Sequence, residues 1–126
     1  MMDLKFGKDK KLKSRKRIER LFTDGKRYSK FPLTAVYFID KNRTGGFKIA
    51  VSVPKRKIKK ASERNLIKRR MREAFRLNQN LLKNQLNLEV MFVYTATKPK
   101  DFAEIEKSML FLIDFLNSVS TEGISA

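Results

Sequence analysis

The first regular pattern of apolar positions along the chain is short and helical. Ile18, Leu21 and Phe22 recur at spacings of three and four residues, which places them on one side of a helix. Ser14 is a candidate N-cap and Gly25 a candidate stop signal. We therefore expect a short basic helix between them.

Three later stretches have the composition and spacing of strands. Residues 33–40 are rich in β-branched and aromatic types, and residues 47–53 place an apolar side chain at every second position. The glycines at the end of residues 41–46 suit a hairpin connection between these two strands. Residues 88–95 form a mainly apolar run, which predicts a strand with both faces largely covered.

Two longer helices complete the pattern. The first, residues 61–77, has Ser62 as its candidate N-cap. Its apolar stripe consists of Ile67, Met71, Ala74 and Phe75. We expect that stripe to be core, because apolar residues at helical spacing usually are. The second helix follows the N-terminal signal of Asp101 and Glu104. Its apolar face consists of Ile105, Met109, Leu112 and Leu116.

The predicted order is therefore α, β, β, α, β, α. It gives an α+β fold in a single domain, residues 14–117, with a mixed sheet packed against helices. The basic residues 1–13 and the small polar residues 118–126 are expected to be flexible. Residues 54–60, almost all basic, should form a mobile cationic loop, and residues 78–87 fit either a helical turn or a loop.

The distribution of charge points to a polyanionic partner. The 126 residues carry 30 Lys and Arg against 13 Asp and Glu, a net charge of +17. The excess is localised, because residues 1–76 have a net charge of +19 and residues 77–126 one of −2. A concentration of Lys and Arg in one region is the electrostatic footprint of phosphate binding, so nucleic acid is the expected partner.

Two missing residue types narrow the possible chemistry. The chain contains no cysteine and no histidine, which removes thiolate zinc sites, cysteine nucleophiles and the commonest general base. No apolar run reaches the ~20 residues that cross a bilayer, and the N-terminus is charged rather than signal-like. A protein-only enzyme is therefore harder to build, the sequence contains no metal-ligand spacing, and we expect a soluble, cytoplasmic protein.

The helix at residues 61–77 carries basic and polar side chains beside its apolar stripe. We call this arc the cationic ridge; it consists of Asn65, Lys68, Arg69, Arg72 and Arg76. A charge run on a helix is often only a solvated face. The net charge of the first 76 residues favours nucleic-acid binding here instead.

A resemblance to a known family rests on residues 51–76, which read VSVPKRKIKKASERNLIKRRMREAFR. This strand, basic loop and Arg-Asn-Arg helix resemble the protein subunit of bacterial ribonuclease P. The N-terminal LKSRKRIERLFTDGKRY is similar to the first helix and glycine turn of that family. The strand at residues 89–95, the Lys-Pro loop and the last helix are similar to its second half, so roughly residues 11–116 are covered.

The resemblance implies a role for two surfaces. The family binds its catalytic RNA through the Arg-Asn-Arg helix, and the matching positions are Arg64, Asn65, Lys68, Arg69, Arg72 and Arg76. The family's central cleft takes the single-stranded 5′ leader of precursor tRNA, and the matching positions are Ile18, Phe22, Tyr37, Ser52 and Lys55. The implied fold is ribosomal-protein-S5-domain-2-like, with a left-handed βαβ crossover around the central helix.

Two positions depart from the family's pattern. Leu66 stands at the third position of the Arg-Asn-Arg pattern, which removes one phosphate contact, and Arg69 and Arg70 are the neighbours that could compensate. Ile18 stands where an aromatic residue is usual in relatives. The lost stacking there should weaken leader binding by roughly 1 kcal/mol or more.

The implied function is that of the protein component of ribonuclease P, an endonuclease that removes the 5′ leader to give mature tRNA ends. Catalysis belongs to the RNA subunit and its Mg²⁺, while the protein binds catalytic RNA and precursor tRNA without forming oligomers in the holoenzyme. The alternative is a structural RNA-binding protein such as a ribosomal protein, which needs the charge but not the cleft. A protein-only nuclease needs clustered carboxylates, whereas Asp40, Glu63, Glu73 and Glu89 are scattered along the sequence.

Overall fold

The computed structural model describes residues 15–39, 47–82 and 88–125, with side chains described as far as residue 119. The helices are α1 (Arg15–Asp24), α2 (Ala61–Asn78) and α3 (Phe102–Ser125), and a short 3-10 helix (Gln79–Leu81) follows α2. The strands are β1 (Lys26–Lys30), β2 (Leu33–Ile39), β3 (Lys48–Ser52) and β4 (Leu88–Tyr94). No helix within these described ranges is long and apolar enough to span a membrane.

The four strands form one mixed sheet in the order β1-β2-β4-β3. Strand β2 is antiparallel to both β1 and β4, whereas β3 and β4 run parallel and are joined through α2. The predicted α+β class and mixed sheet are confirmed, but the predicted element order missed β1. This edge strand, KRYSK, shows no alternation of apolar and polar positions, because Tyr28 is the one residue in it that packs against the core, and only partly.

The two faces of the sheet are covered by different helices. The main core lies on the face that α2 and α3 cover, which we call the helix-pair face. Four β4 side chains at every second position belong to it: Leu88, Val90, Phe92 and Tyr94. On the opposite face, which we call the α1 face, Met91 forms a smaller cluster with Leu21 of α1 and Val36 of β2.

Both long helices bury the stripes that their periodicity predicts. The fully buried side chains of α2 are Ile67, Met71, Ala74 and Phe75. Those of α3 include Ile105, Met109, Leu112 and Leu116. Fully burying a large apolar side chain contributes about 1.5–3 kcal/mol, so these two stripes supply much of the apolar stabilisation.

The start of α2 differs from the prediction. The N-cap position is Lys60 and it makes no side-chain capping hydrogen bond, so Ser62 lies inside the helix. The basic loop before α2 is an organised turn rather than a mobile segment. Ile58 is buried in the core, and the Arg64 guanidinium donates to the carbonyl oxygens of Ile58 (2.9 Å) and Lys59 (2.7 Å).

Gly25 ends α1 as predicted, and the reason is steric. Its N–H donates to the Leu21 carbonyl at 2.9 Å. A Cβ at this position would collide with that same carbonyl and lie 2.9 Å from the carbonyl oxygen of Tyr37. The absence of a side chain therefore lets the end of α1 lie directly against β2.

Helix α3 begins with the predicted cap and extends further than expected. The Asp101 carboxylate accepts a hydrogen bond from the Glu104 N–H at 2.9 Å, which satisfies one donor of the first turn. The helix continues to Ser125, so most of the predicted tail at residues 118–126 is helical. The predicted N-terminal arm, the hairpin connection at residues 41–46 and residues 83–87 lie outside the described residues.

Candidate nucleic-acid interface

All five members of the cationic ridge reach the surface of α2. Asn65, Arg69 and Arg72 are exposed, and Lys68 and Arg76 are partly exposed. They lie on the arc next to the apolar stripe that packs α2 against the core, so the helix holds their backbone in place. In the described part of the chain, neither Arg69 nor Arg72 has a carboxylate within ion-pair distance, which leaves their charge for a ligand.

Arg76 is the member of the ridge whose charge is shared within the protein. Its guanidinium forms a two-point ion pair with the carboxylate of Glu73, one turn earlier on α2, with Nε at 3.2 Å from Oε2. The hydrogen bond from Arg76 holds the pKa of Glu73 below its ordinary value and raises the pKa of Arg76. A phosphate that binds Arg76 must therefore compete with Glu73.

The two arginines beside the ridge stabilise loops. Arg64, predicted to bind RNA, is partly buried and holds the turn before α2. Arg70 donates to the carbonyl oxygen of Lys100 at 2.6 Å. The Tyr94 hydroxyl fixes the same loop, because it accepts from the N–H of Lys100 at 2.9 Å. Arg70 is thus committed to this loop and is poorly placed to compensate for Leu66, which is exposed.

A row of small side chains, one from each strand, crosses the α1 face of the sheet. The strand pairings align Ser29, Thr34, Val93 and Ser52, one from each strand. We call these four residues the hydroxyl row, since three of them carry a hydroxyl group. The hydroxyls of Ser29 and Thr34 are hydrogen bonded at 2.8 Å, and every member of the row is at least partly exposed. The sequence analysis named only Ser52 of this row. Ser29 was missed together with β1, and the alignment of the row depends on the strand order.

Three of the five predicted cleft residues meet on the α1 face. Phe22 is 44% exposed on α1, and the guanidinium carbon of Arg27 lies 6.0 Å from the centre of its ring. Ile18 packs against the small α1-face cluster, and Ser52 belongs to the hydroxyl row. Lys55 is exposed in the turn after β3.

Tyr37 is not on this face, so its predicted place beside Phe22 is wrong. The side chain is only 6% exposed and belongs to the main core, where its ring meets Phe115 of α3 edge to face at 5.7 Å. Neighbouring strand residues point to opposite faces. Phe38 therefore takes the α1 face instead, with the Arg20 guanidinium 4.7 Å from the centre of its ring.

A buried carboxylate attaches α1 to the central strand. The Glu89 side chain on β4 is 0% exposed; its Oε1 accepts from Arg20 Nη2 at 2.8 Å and its Oε2 lies 3.5 Å from Arg17 Nη1. Both arginine side chains are partly exposed. The signal in the sequence is a lone acid inside an apolar strand, because a buried charge requires a partner.

These elements define a small basic α+β domain, with a cationic helix on one side of its sheet and a partly open face on the other. The chain belongs to the ribonuclease P family, whose model matches residues 6–116. It is 32% identical over 108 residues to the ribonuclease P protein component of Porphyromonas gingivalis, covering 81% of this chain and 79% of that protein. The component from Desulfosudis oleivorans is 34% identical over 109 residues, covering 86% and 87%.

Solved structures of the family have the same fold. The Staphylococcus aureus RNase P protein superposes with a TM-score of 0.70 at 20% identity, covering 84% of this chain and 94% of that one. The Thermotoga maritima protein gives 0.69 at 19% identity, covering 82% and 94%. The family resemblance and the fold class are thereby confirmed. The left-handed sense of the β3-α2-β4 crossover stays a prediction.

Replacing Glu89 by Gln should loosen α1 from the sheet. The amide keeps the shape of the side chain but removes the charge facing Arg17 and Arg20. Because both arginines are partly in water, we expect the free energy of unfolding to fall by about 1–2 kcal/mol. Urea unfolding measures this loss, with Glu104→Gln in the exposed first turn of α3 as a control. An unchanged midpoint for Glu89→Gln would show that apolar contacts alone hold α1.

Proposed function

We propose that this chain is the protein component of ribonuclease P and acts by binding two RNA molecules, the catalytic RNA and precursor tRNA. The observation that carries the proposal is the separation of two RNA-compatible surfaces on a family-typical fold. The cationic ridge lies on the helix-pair side of the sheet. Phe22 and the hydroxyl row lie on the α1 face.

The cationic ridge is suited to an RNA backbone. Arg69 and Arg72 present exposed guanidinium groups that can each donate two hydrogen bonds to one phosphate, and Asn65 adds a neutral donor. Each phosphate that they neutralise releases counterions, so binding should weaken as salt rises. This surface is our candidate for the contact with the catalytic RNA.

The α1 face is suited to a single strand. Phe22 offers an exposed ring on which an unpaired base can stack, and Arg27 beside it can neutralise a phosphate. The hydroxyls of Ser29, Thr34 and Ser52 can bind sugar or phosphate oxygens without reading sequence. A leader of any sequence could lie along this row.

The chemistry of leader removal is assigned to the RNA subunit. Hydrolysis requires an activated water and a stabilised leaving group, which Mg²⁺ held by RNA phosphates can supply. Among the described residues there is no group of three or more His, Cys, Asp or Glu side chains that could hold a metal ion. The protein lowers the repulsion between two polyanions and grips the leader, as one copy in a cytoplasmic holoenzyme.

The direct test adds the purified protein to a bacterial ribonuclease P RNA at low Mg²⁺ and follows 5′ maturation of precursor tRNA. We expect strong stimulation, because the protein replaces screening that free cations otherwise provide. The RNA alone at high Mg²⁺ serves as the control for its activity. Failure to stimulate would refute the proposal and favour a structural RNA binder, whereas cleavage without RNA would indicate a protein nuclease.

Arg69→Gln should weaken binding of the catalytic RNA and flatten its salt dependence. Losing one phosphate contact lowers the slope of log K against log salt by about 1. Arg70→Gln removes the same charge from the next residue, but there it breaks the hydrogen bond to Lys100. We expect Arg70→Gln to reduce stability and to leave the slope nearly unchanged. Equal slopes for both variants would remove Arg69 from the interface.

Phe22→Ala should weaken binding of precursor tRNA to the reconstituted holoenzyme by about 1–3 kcal/mol, the usual value for loss of one stacked base. Binding of mature tRNA, which lacks the leader, should not change. Phe22→Leu preserves most of the apolar contact with the protein and separates stacking from packing. If both tRNAs lose affinity equally, Phe22 acts through the fold and not through the leader.

A further inference from the structure

An exposed aromatic patch lies on the helix-pair side, where β1 turns into β2 beside α3. Phe31 in the turn is 63% exposed, the largest value among the large apolar side chains of the described residues. Phe111 on α3 is 44% exposed. Neither residue belongs to the cationic ridge or to the α1 face, and the functions proposed above use neither.

Lysine side chains lie over both rings. Lys30 Nζ is 4.7 Å from the centre of the Phe111 ring, and Lys100 Nζ is 5.7 Å from that of Phe31. Lys107 lines the same depression. We call Lys30, Phe31, Lys100, Lys107 and Phe111 the Phe-Lys patch.

The Phe-Lys patch surrounds an open cavity of about 290 Å³. Its lining consists of Lys30, Phe31, Pro32, Glu104, Lys107 and Ser108. The Ser108 hydroxyl donates to the Lys30 carbonyl and fixes the strand to α3. Tyr28 stacks on Phe115 at 3.7 Å and lies parallel to Phe111 at 6.1 Å, so the aromatic side of the patch is already ordered.

The composition of the patch identifies its ligand class. The lining carries Lys30 and Lys107 against Glu104, and Lys100 lies over the Phe31 ring beside it, so the net charge is positive, which suits phosphates. Exposed rings beside the lysines suit unpaired bases, because stacking on aromatics and backbone neutralisation together bind single strands. A protein partner is less well matched, since lysine is depleted at the centres of protein interfaces.

We propose that the Phe-Lys patch binds a single-stranded RNA segment, at a site separate from the cationic ridge and the α1 face. A base stacks on Phe31 over the cavity, and Lys30, Lys100 and Lys107 neutralise the flanking phosphates. The site belongs to the protein itself. It therefore does not depend on whether the chain assembles with a ribonuclease P RNA.

Fluorescence anisotropy with a single-stranded oligouridylate of about eight nucleotides, a length that one small domain can cover, tests the site. The full chain carries Phe22→Ala in every sample, because the stacking ring of the α1 face could otherwise bind the same strand. The double variant Phe31→Leu and Phe111→Leu keeps the apolar surface but removes the aromatic rings. We expect its affinity to fall about tenfold. Lys30→Gln should lower the salt slope by about 0.7, the single-strand value for one phosphate. Lys26→Gln, on the same strand and face, removes the same charge away from the patch and should change neither quantity.

Photo-crosslinking locates the bound strand. With photoreactive uridines in the oligonucleotide, crosslinked peptides should come from the β1–β2 turn and the first turns of α3. Unchanged affinity of the double variant, or crosslinks confined to α1 and α2, would overturn the proposal. Sedimentation of the same variants covers the remaining outcome: altered self-association with unaltered RNA binding would make the patch a contact between copies of the chain, and the proposal would be wrong.

The two proposals fail in different ways. If the protein stimulates a ribonuclease P RNA but the double variant binds the oligonucleotide normally, only the Phe-Lys patch is refuted. If it gives no stimulation but the double variant loses oligonucleotide binding, only the ribonuclease P function is refuted.

Discussion

The pairing of buried Glu89 with Arg17 and Arg20 is the interaction on which the α1 face depends. Leu21 is the only fully buried residue that α1 contributes, so apolar burial gives this helix little hold on the sheet. The ion pairs add direction to that contact, because the Glu89 carboxylate on β4 accepts a hydrogen bond from Arg20 and forms an ion pair with Arg17, one turn earlier on α1. Replacing such a group by an apolar one can leave stability unchanged while losing the orientation. The position of Phe22 over the sheet follows from that orientation.

The central strand also explains why one small domain can present several charged surfaces. Strand β4 is buried on both faces, and Glu89 is its only charged residue. The helices can then carry polar groups on every side that does not face the sheet. In α2 the buried stripe and the cationic ridge occupy different arcs of the helix. The proposed RNA-binding surface is thus largely separate from the surface that folds the chain.

The sequence predicted those elements in which one face is buried and the other is not. The stripe of α2 was correct to the residue, and all four predicted residues of α3 are buried together with Ser108 and Ile113, because a helix with one buried side leaves a clear period. Strand β1 was missed because an edge strand with one partly buried tyrosine has no period to detect. Tyr37 was placed in the cleft by the family resemblance alone. The pattern of β2 could not correct this, because a strand that is apolar on both sides does not reveal which face each residue takes. The partners of Glu89 were beyond reach, since they are about seventy residues away in the sequence and meet it only in the fold.

The arginines of α2 have different partners, so the net charge overstates how many of them can bind phosphate. Along the sequence, Arg64, Arg69, Arg70, Arg72 and Arg76 look equivalent. In the structure Arg64 and Arg70 hold loops and Arg76 is paired with Glu73, so only Arg69 and Arg72 present a guanidinium that faces solvent without a carboxylate in the described residues. The salt dependence of RNA binding counts phosphate contacts and not formal charge. The absence of an arginine at position 66 therefore matters more for RNA binding than the net charge of +17 suggests. Leu66 lies beside the few arginines of α2 that remain available to phosphate.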